Sequence, residues 1–326
     1  MKEQALPAGL DAMEAWLDEA NDIHDDAPEP ALALLRRIVP AALPPARRAQ
    51  FAFLMNHVPG EKFGRWDEAL AAQQAIVDAA ADAMTTVLWR QAAVAAHLAG
   101  EPVRAARWRD ALAASANAPA AEAQALVALA AASFTVAGQG AGAAGRSALE
   151  ALRPLAGAPL AAGLDASFAA AATTLANALV ERPLDDLRQP ELRAALELSA
   201  DLALHCWQRA GQWLQQERAR YLCALAANAL GEGSKGETHA RTGLALLDAH
   251  DTTHTEDVDR AFLELECALA LQLAGEIGAA SAQDRAETLA AAFTDASLKA
   301  WFADRRQRNA ALLAHYQRGR HAGHGR

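Results

Sequence analysis

The chain has 326 residues, 52% of them apolar and 21% charged, which places it among globular rather than disordered proteins. Alanine supplies about a quarter of it, against four isoleucines and two tyrosines, too few β-branched and aromatic side chains to furnish a sheet. The formal charge of −10 argues against a nucleic-acid surface, and no apolar run approaches the roughly 20 residues of a membrane span.

Apolar residues recur at three- and four-residue spacing along the chain, which predicts helices throughout. Ala12, Trp16, Ala20 and Ile23 form the stripe of a first helix over 10–24. Helices follow over 29–43 and 45–58, opened by Pro30 and Pro45, then over 66–82 and 84–99, the last stopped at Gly100. Pro102 and Pro119 open 102–116 and 119–137, with Leu126, Leu129 and Phe134 on one face and Gly138 at the end. The pattern continues over 143–156, closed at Gly157, and over 159–182 and 189–210, opened by Pro159 and Pro190. It ends with 212–230, 235–250, 255–274, 277–293 and 295–316, where Gly231 and Gly275 are stops. Proline costs no hydrogen bond in a first turn, and glycine can take the left-handed cap that closes a last one. Gly211 is the lone breaker within 189–230, so one long bent helix or two helices both fit there. Residues 317–326 read as a flexible basic tail. Cys206, Cys223 and Cys267 lack metal spacing and read as buried thiols of a reducing, cytoplasmic compartment.

Short links make consecutive helices antiparallel hairpins, and the hairpins repeat. Aligned on Gly64, Gly100, Gly138, Gly231 and Gly275, they carry Ala69, Ala105, Ala143 and Ala280 five positions later, and Ala93, Ala131 and Ala268 seven positions earlier. Small residues there let helix backbones meet at the short end of the usual 8–10 Å range. This spacing resembles the tetratricopeptide repeat, most clearly in Gly64-Arg65-Trp66-Asp67-Glu68-Ala69-Leu70, over about residues 50–156 and 212–293. It departs from that family at the ends and through 157–211, and Pro119 falls two positions late. An irregular all-α bundle is the competing architecture.

The resemblance implies an all-α fold of stacked antiparallel hairpins wound into a right-handed superhelix. About seven hairpins and a capping helix would make one solenoid over 1–316. It implies a scaffold that binds a peptide or protein segment in its concave groove; the other motifs of the chain lead to no expected enzyme activity, cofactor or metal. Carrying the family's groove positions over gives Arg90 and His97, then Arg218, Tyr221 and Asn228, then Gln272. Two arginines, a tyrosine and an asparagine could grip the backbone and an acidic end of an extended segment. The same positions at Ala125, Ala128, Ala132 and Thr135 would leave a smooth apolar stretch. A ligand-sensing regulatory domain is the alternative, and a metal-dependent enzyme a more distant one. No membrane or nucleic-acid partner is expected, and self-association is left open.

Other motifs have plainer readings. Gly140, Gly142 and Gly145, with Asp165 downstream, match a dinucleotide fingerprint, and so do Gly231, Gly233 and Gly236. Neither follows a strand, so both read as inter-helix turns. His24-Asp25-Asp26 and His250-Asp251 fall at helix ends, where such residues serve the terminus, while His239, His250 and His254 could gather round one loop. Glu14, Asp18 and Glu19, and likewise Glu264 and Glu266, read as solvated helix faces. Trp89, Trp108, Trp207 and Trp213 read as core anchors between hairpins. From Asp304 onward there are six arginines and one acid, either a polyanion-binding tail or a last helix that pairs with the acidic body.

Overall fold

A computed structural model describes residues 9–80, 83–155 and 160–323. It contains 15 helices, 83% helix in all, and no strand among the described residues. The expected stop and start at Gly157 and Pro159, and residues 324–326 of the expected tail, lie outside them. The chain divides into two compact units, Met1–Thr135 and Val136–Arg326, where the sequence suggested one array over 1–316.

The first unit holds α1 (Leu10–Ile23), α2 (Pro28–Leu35), α3 (Pro45–Met55), α4 (Trp66–Ala79), α5 (Thr86–Leu98), α6 (Pro102–Ser115) and α7 (Ala120–Thr135). Helix α2 stops at Leu35, well short of the expected residue 43. The cause is Pro40, which disfavours helical backbone at the residue before it; Val39 is extended, at φ −95° and ψ 108°. Beyond Met55 the chain continues as a π-helix, Asn56–Lys62, with Pro59 inside it. A proline cannot donate to the carbonyl one turn back and its ring presses on it, so the wider turn accommodates what an α-turn could not. The core joins Met13, Leu17, Leu32, Leu35, Phe51, Leu54, Val58 and Ile76. Helix α7 with the turn after it, Ala120–Gly138, is long and apolar enough to cross a membrane by length and composition, a run the sequence reading passed over. Most of that window is buried in the structure.

The second unit holds α8 (Ala141–Leu152), α9 (Asp165–Val180), α10 (Pro190–Ala210), α11 (Trp213–Ala229), α12 (Gly233–His250), α13 (Asp257–Ala274), α14 (Ala279–Ala291) and α15 (Ala296–Gly323). The chain breaks at Gly211, so 189–230 is two helices. A Cβ at Gly211 would come within 2.7 Å of the Trp207 carbonyl oxygen, and Gln212 and Gln215 then close a capping box. Helix α15 runs on to Gly323, past the expected end at 316.

Four of the five aligned glycines take the left-handed conformation: Gly64, Gly100, Gly231 and Gly275, at φ between +67° and +77°. Gly138 does not, and sits instead in a short 3₁₀ turn. At Gly100, Gly231 and Gly275 the same cap recurs. The glycine N–H donates three residues back, and the N–H of the following glutamate (Glu101, Glu232 or Glu276) donates five back. Within each unit helices pack on the next helix and on the next but one, as α5 on α6 and α7, and α11 on α12 and α13.

Of the small residues expected at crossings, Ala93 and Ala131 are buried and Ala105 is half-buried. Ala143 is exposed. The close approach falls two residues later, at Gly145, where a Cβ would lie 2.8 Å from both Glu191 Cβ and Leu192 N. Gly233 and Gly236 of the second fingerprint match are packing residues too, seated against the Ala270 carbonyl and the Asn228 side chain. Trp108 is buried, whereas Trp89, Trp207 and Trp213 are half-buried. Glu264 and Glu266 are buried, not solvated, because α14 and α15 cover that part of α13.

Candidate functional site

Arg90 and His97 lie on α5 of the first unit, and Arg218, Tyr221, Asn228 and Gln272 on α11 and α13 of the second. His97 and Gln272 are exposed. Arg90 is half-buried, and loss of hydration pulls its guanidinium down to about 10. Arg218 is already engaged: its Nε donates to Asp259 at 2.8 Å, and Nη2 reaches Glu256. Asn228 is fully buried, and Tyr221 is half-buried with its hydroxyl oxygen enclosed and no hydrogen-bond partner. The expected polar ladder is therefore mostly spoken for within the chain.

Helix α15 covers the Tyr221 and Asn228 part of it in the second unit, while Arg218 and Gln272 stay exposed. Phe302 packs on Phe262 and Phe293, and Trp301 lies 4.5 Å from the Phe262 ring. Arg305 pairs with Glu181, just beyond α9, and Arg308 donates to the carbonyls of Val180 and Arg182. Asn309 Nδ2 donates to Glu266 Oε1 at 2.9 Å. Leu312 packs with Leu269 and Leu273, and the Tyr316 hydroxyl donates to the Ala229 carbonyl at 2.7 Å. The Tyr316 ring sits so close over Gly231 that a Cβ there would meet it at 2.6 Å. Helix α15 thus touches α13, α11 and the end of α9 along one face, with residues 302, 305, 309, 312 and 316 as the stripe. Three of the C-terminal arginines, Arg305, Arg306 and Arg308, pair with the acidic body.

At the centre is Glu266. Its Oε2 accepts from Asn228 Nδ2 at 2.8 Å, and the same amide nitrogen donates to the Glu266 backbone carbonyl at 3.0 Å. Burial pushes this carboxyl up, while the charge of Arg305 and the two asparagine amides pull it back. Sequence reasoning missed Glu266 and Asn309. The available signal was the polarity of Glu266 amid apolar neighbours, while Asn309 follows the polar run 305–308; neither pattern separates a buried polar group from a solvated one.

Between α13 and α14 lies an open cleft of about 440 Å³ lined by Arg260, Glu264, Ser281, Asp284, Arg285, Thr288 and Leu289. Its main cation is used inside the chain, since Arg285 forks onto both Glu264 oxygens at 2.7 Å. The three histidines that could gather round one loop have separate partners. His239 is buried beside Arg220 and driven down to about 4 by burial and that charge; His250 stacks on Trp213, and His254 pairs with Asp257. Cys206, Cys223 and Cys267 are buried free thiols, the first two pushed up to about 12 by burial.

Comparison of the chain with protein-family models, curated proteins and solved structures gives no match in any of the three.

Proposed function

We propose that the protein is an interaction scaffold of the tetratricopeptide-like kind, whose second unit holds an amphipathic helix against α11, α13 and the end of α9. The observation that carries the reading is the stripe Phe302, Arg305, Asn309, Leu312 and Tyr316, seated on Phe262, Glu181, Glu266, Leu269 and Ala229 beside two of the expected groove residues, Tyr221 and Asn228. Recognition of a helix in a groove uses anchors three and four residues apart along one face. Helix α15 is then the resident occupant, and a protein partner would present the same pattern: an aromatic, an arginine three residues on, an asparagine four further, then leucine and tyrosine. The recurrent Gly-Glu caps at Gly100, Gly231 and Gly275 support related hairpins within each unit.

A peptide of residues 296–318 tests this. Phe302→Asp with Asn309→Asp in the full chain sets two carboxylates against Phe262 and Glu266 and loosens α15. The peptide should bind that variant at least tenfold more tightly than wild type, by calorimetry. Equal binding to both, with hydrogen exchange showing α15 released in the variant, would sink the reading.

A further inference from the structure

The first unit holds a cluster that the groove reading does not use. The end of α1 brings His24 and Asp25 against His57 of the π-helical turn, and one ligand atom from each lies within 4.8 Å of the other two. His24 Nδ1 lies 2.5 Å from the Asn21 carbonyl oxygen, and His57 Nδ1 lies 2.5 Å from Glu61 Oε2. A carbonyl and a carboxylate can only accept, so both rings carry their hydrogen on Nδ1, and in the neutral rings Nε2 is a lone pair. Both Nε2 atoms face the same carboxylate: His24 at 3.5 Å from Asp25 Oδ2, His57 at 3.3 Å from Asp25 Oδ1. Lone pairs set against a carboxylate repel unless a proton or a metal cation stands between them. Those separations match the edge of a tetrahedron with metal–ligand bonds near 2.0–2.1 Å, about 3.3 Å.

The geometry points to a divalent-metal site formed by His24 Nε2, the Asp25 carboxylate and His57 Nε2, with Zn²⁺ the cation that best suits two imidazoles and a carboxylate. The outer shell is already built. A backbone carbonyl behind one histidine and a carboxylate behind the other are the partners that fix tautomer and ring orientation at zinc sites. The His57 ring is further held by stacking on Phe53, at 5.5 Å and 8°. Three protein ligands leave a coordination position for water or for a donor from another molecule. Lys62 is the resident competitor, its Nζ 2.9 Å from Asp25 Oδ1, so loading exchanges one cation for another at that carboxylate. The π-helix matters here because its wider turn carries His57, Glu61 and Lys62 together towards α1.

The test is titration of the untagged full chain with Zn²⁺ by calorimetry and with Co²⁺ by visible absorption. One equivalent should bind, with cobalt bands of low coordination number. His57→Gln and Asp25→Asn should weaken it more than tenfold, Glu61→Gln by about tenfold, and Lys62→Met should tighten it. Should a variant fail to fold, histidine-ring nitrogen spectra of the wild type decide instead, since zinc must move two Nε2 signals. No stoichiometric binding, unmoved ring nitrogens, or equal binding by a folded His57→Gln chain would overturn the site and leave two imidazolium–carboxylate pairs.

Discussion

Asn56 in the first unit and Asn228 in the second make the same connection. Each donates its amide to the backbone carbonyl and the side chain of one residue, Gln91 and Glu266 respectively. Those two residues stand nine positions before a left-handed glycine, Gly100 and Gly275. Their surroundings differ. In the first unit Gln73 of α4 completes the cluster, giving Nε2 to Asn56 Oδ1 at 2.9 Å and to the Ala52 carbonyl at 2.8 Å. It is neutral and closed by adjacent elements. In the second unit the acceptor is a carboxylate, Asn228 Oδ1 lies against Gly236 without a hydrogen-bond partner, and a donor comes from α15, far along the chain. The same clamp is completed by near neighbours in the first unit and by a helix remote in sequence in the second.

Exchanging the central residues breaks that comparison most sharply. Gln91→Glu puts a carboxylate into a cluster of amides, and should cost about 3–5 kcal/mol at pH 7. Chemical denaturation would read this, and the loss should shrink at pH 4–5, where the new carboxyl takes a proton. Glu266→Gln should cost less than about 1 kcal/mol. Asn309 can turn its amide so that Oδ1, now without a partner, accepts from the new side chain. Similar losses from both exchanges would erase the distinction between the units.

A smaller effect sharpens the packing side. Ala93 in the first unit is wholly buried, so Ala93→Leu should overpack α5 and cost roughly 1–3 kcal/mol. Ala143→Leu in the second unit should be neutral within about 0.5 kcal/mol, because that side chain faces solvent. Thermal melts of the two variants check the contrast, which fails if Ala143→Leu proves the more damaging.

Helix positions were legible because alanine-rich periodicity and proline–glycine punctuation are local signals. The left-handed caps at Gly64, Gly100, Gly231 and Gly275 could be anticipated from glycine placement alone. Gly138 failed the same rule because a 3₁₀ turn ends its helix without positive φ. The stop at Leu35 was missed since the apolar pattern runs on through Ile38 and Val39 while Pro40 acts backwards upon them. Glu266 and Asn309 were invisible for another reason: they are 43 residues apart, and only packing brings them together. The His24, Asp25 and His57 group likewise depends on a π-turn for which hydrophobic period carries no sign.

The last prediction concerns Glu217, one turn before Tyr221 on α11. Its side chain is wholly buried, with the Asp259 carboxylate as its polar neighbour. Burial first, and then the adjacent charge of Asp259, lift it from an ordinary 4.5 to about 8, with Arg218 pulling the other way and Glu256 adding to the rise. The folded chain thus keeps a proton that the unfolded chain gives up above pH 4.5. Between these values the native state binds more protons, so stability falls as pH rises, by at most about 1.4 kcal/mol per pH unit. Above pH 8 both states are ionised and the fall ends. Glu217→Gln cannot titrate, so its melting temperature should gain on wild type steadily from pH 5 to pH 8 and level off beyond. Asp201 and Glu266, whose carboxyls burial also pushes up, lie in the second unit as well. Parallel wild-type and variant melting profiles across that range would mean that Glu217 is hydrated and ionised, and that this part of α11 is more open than its packing implies.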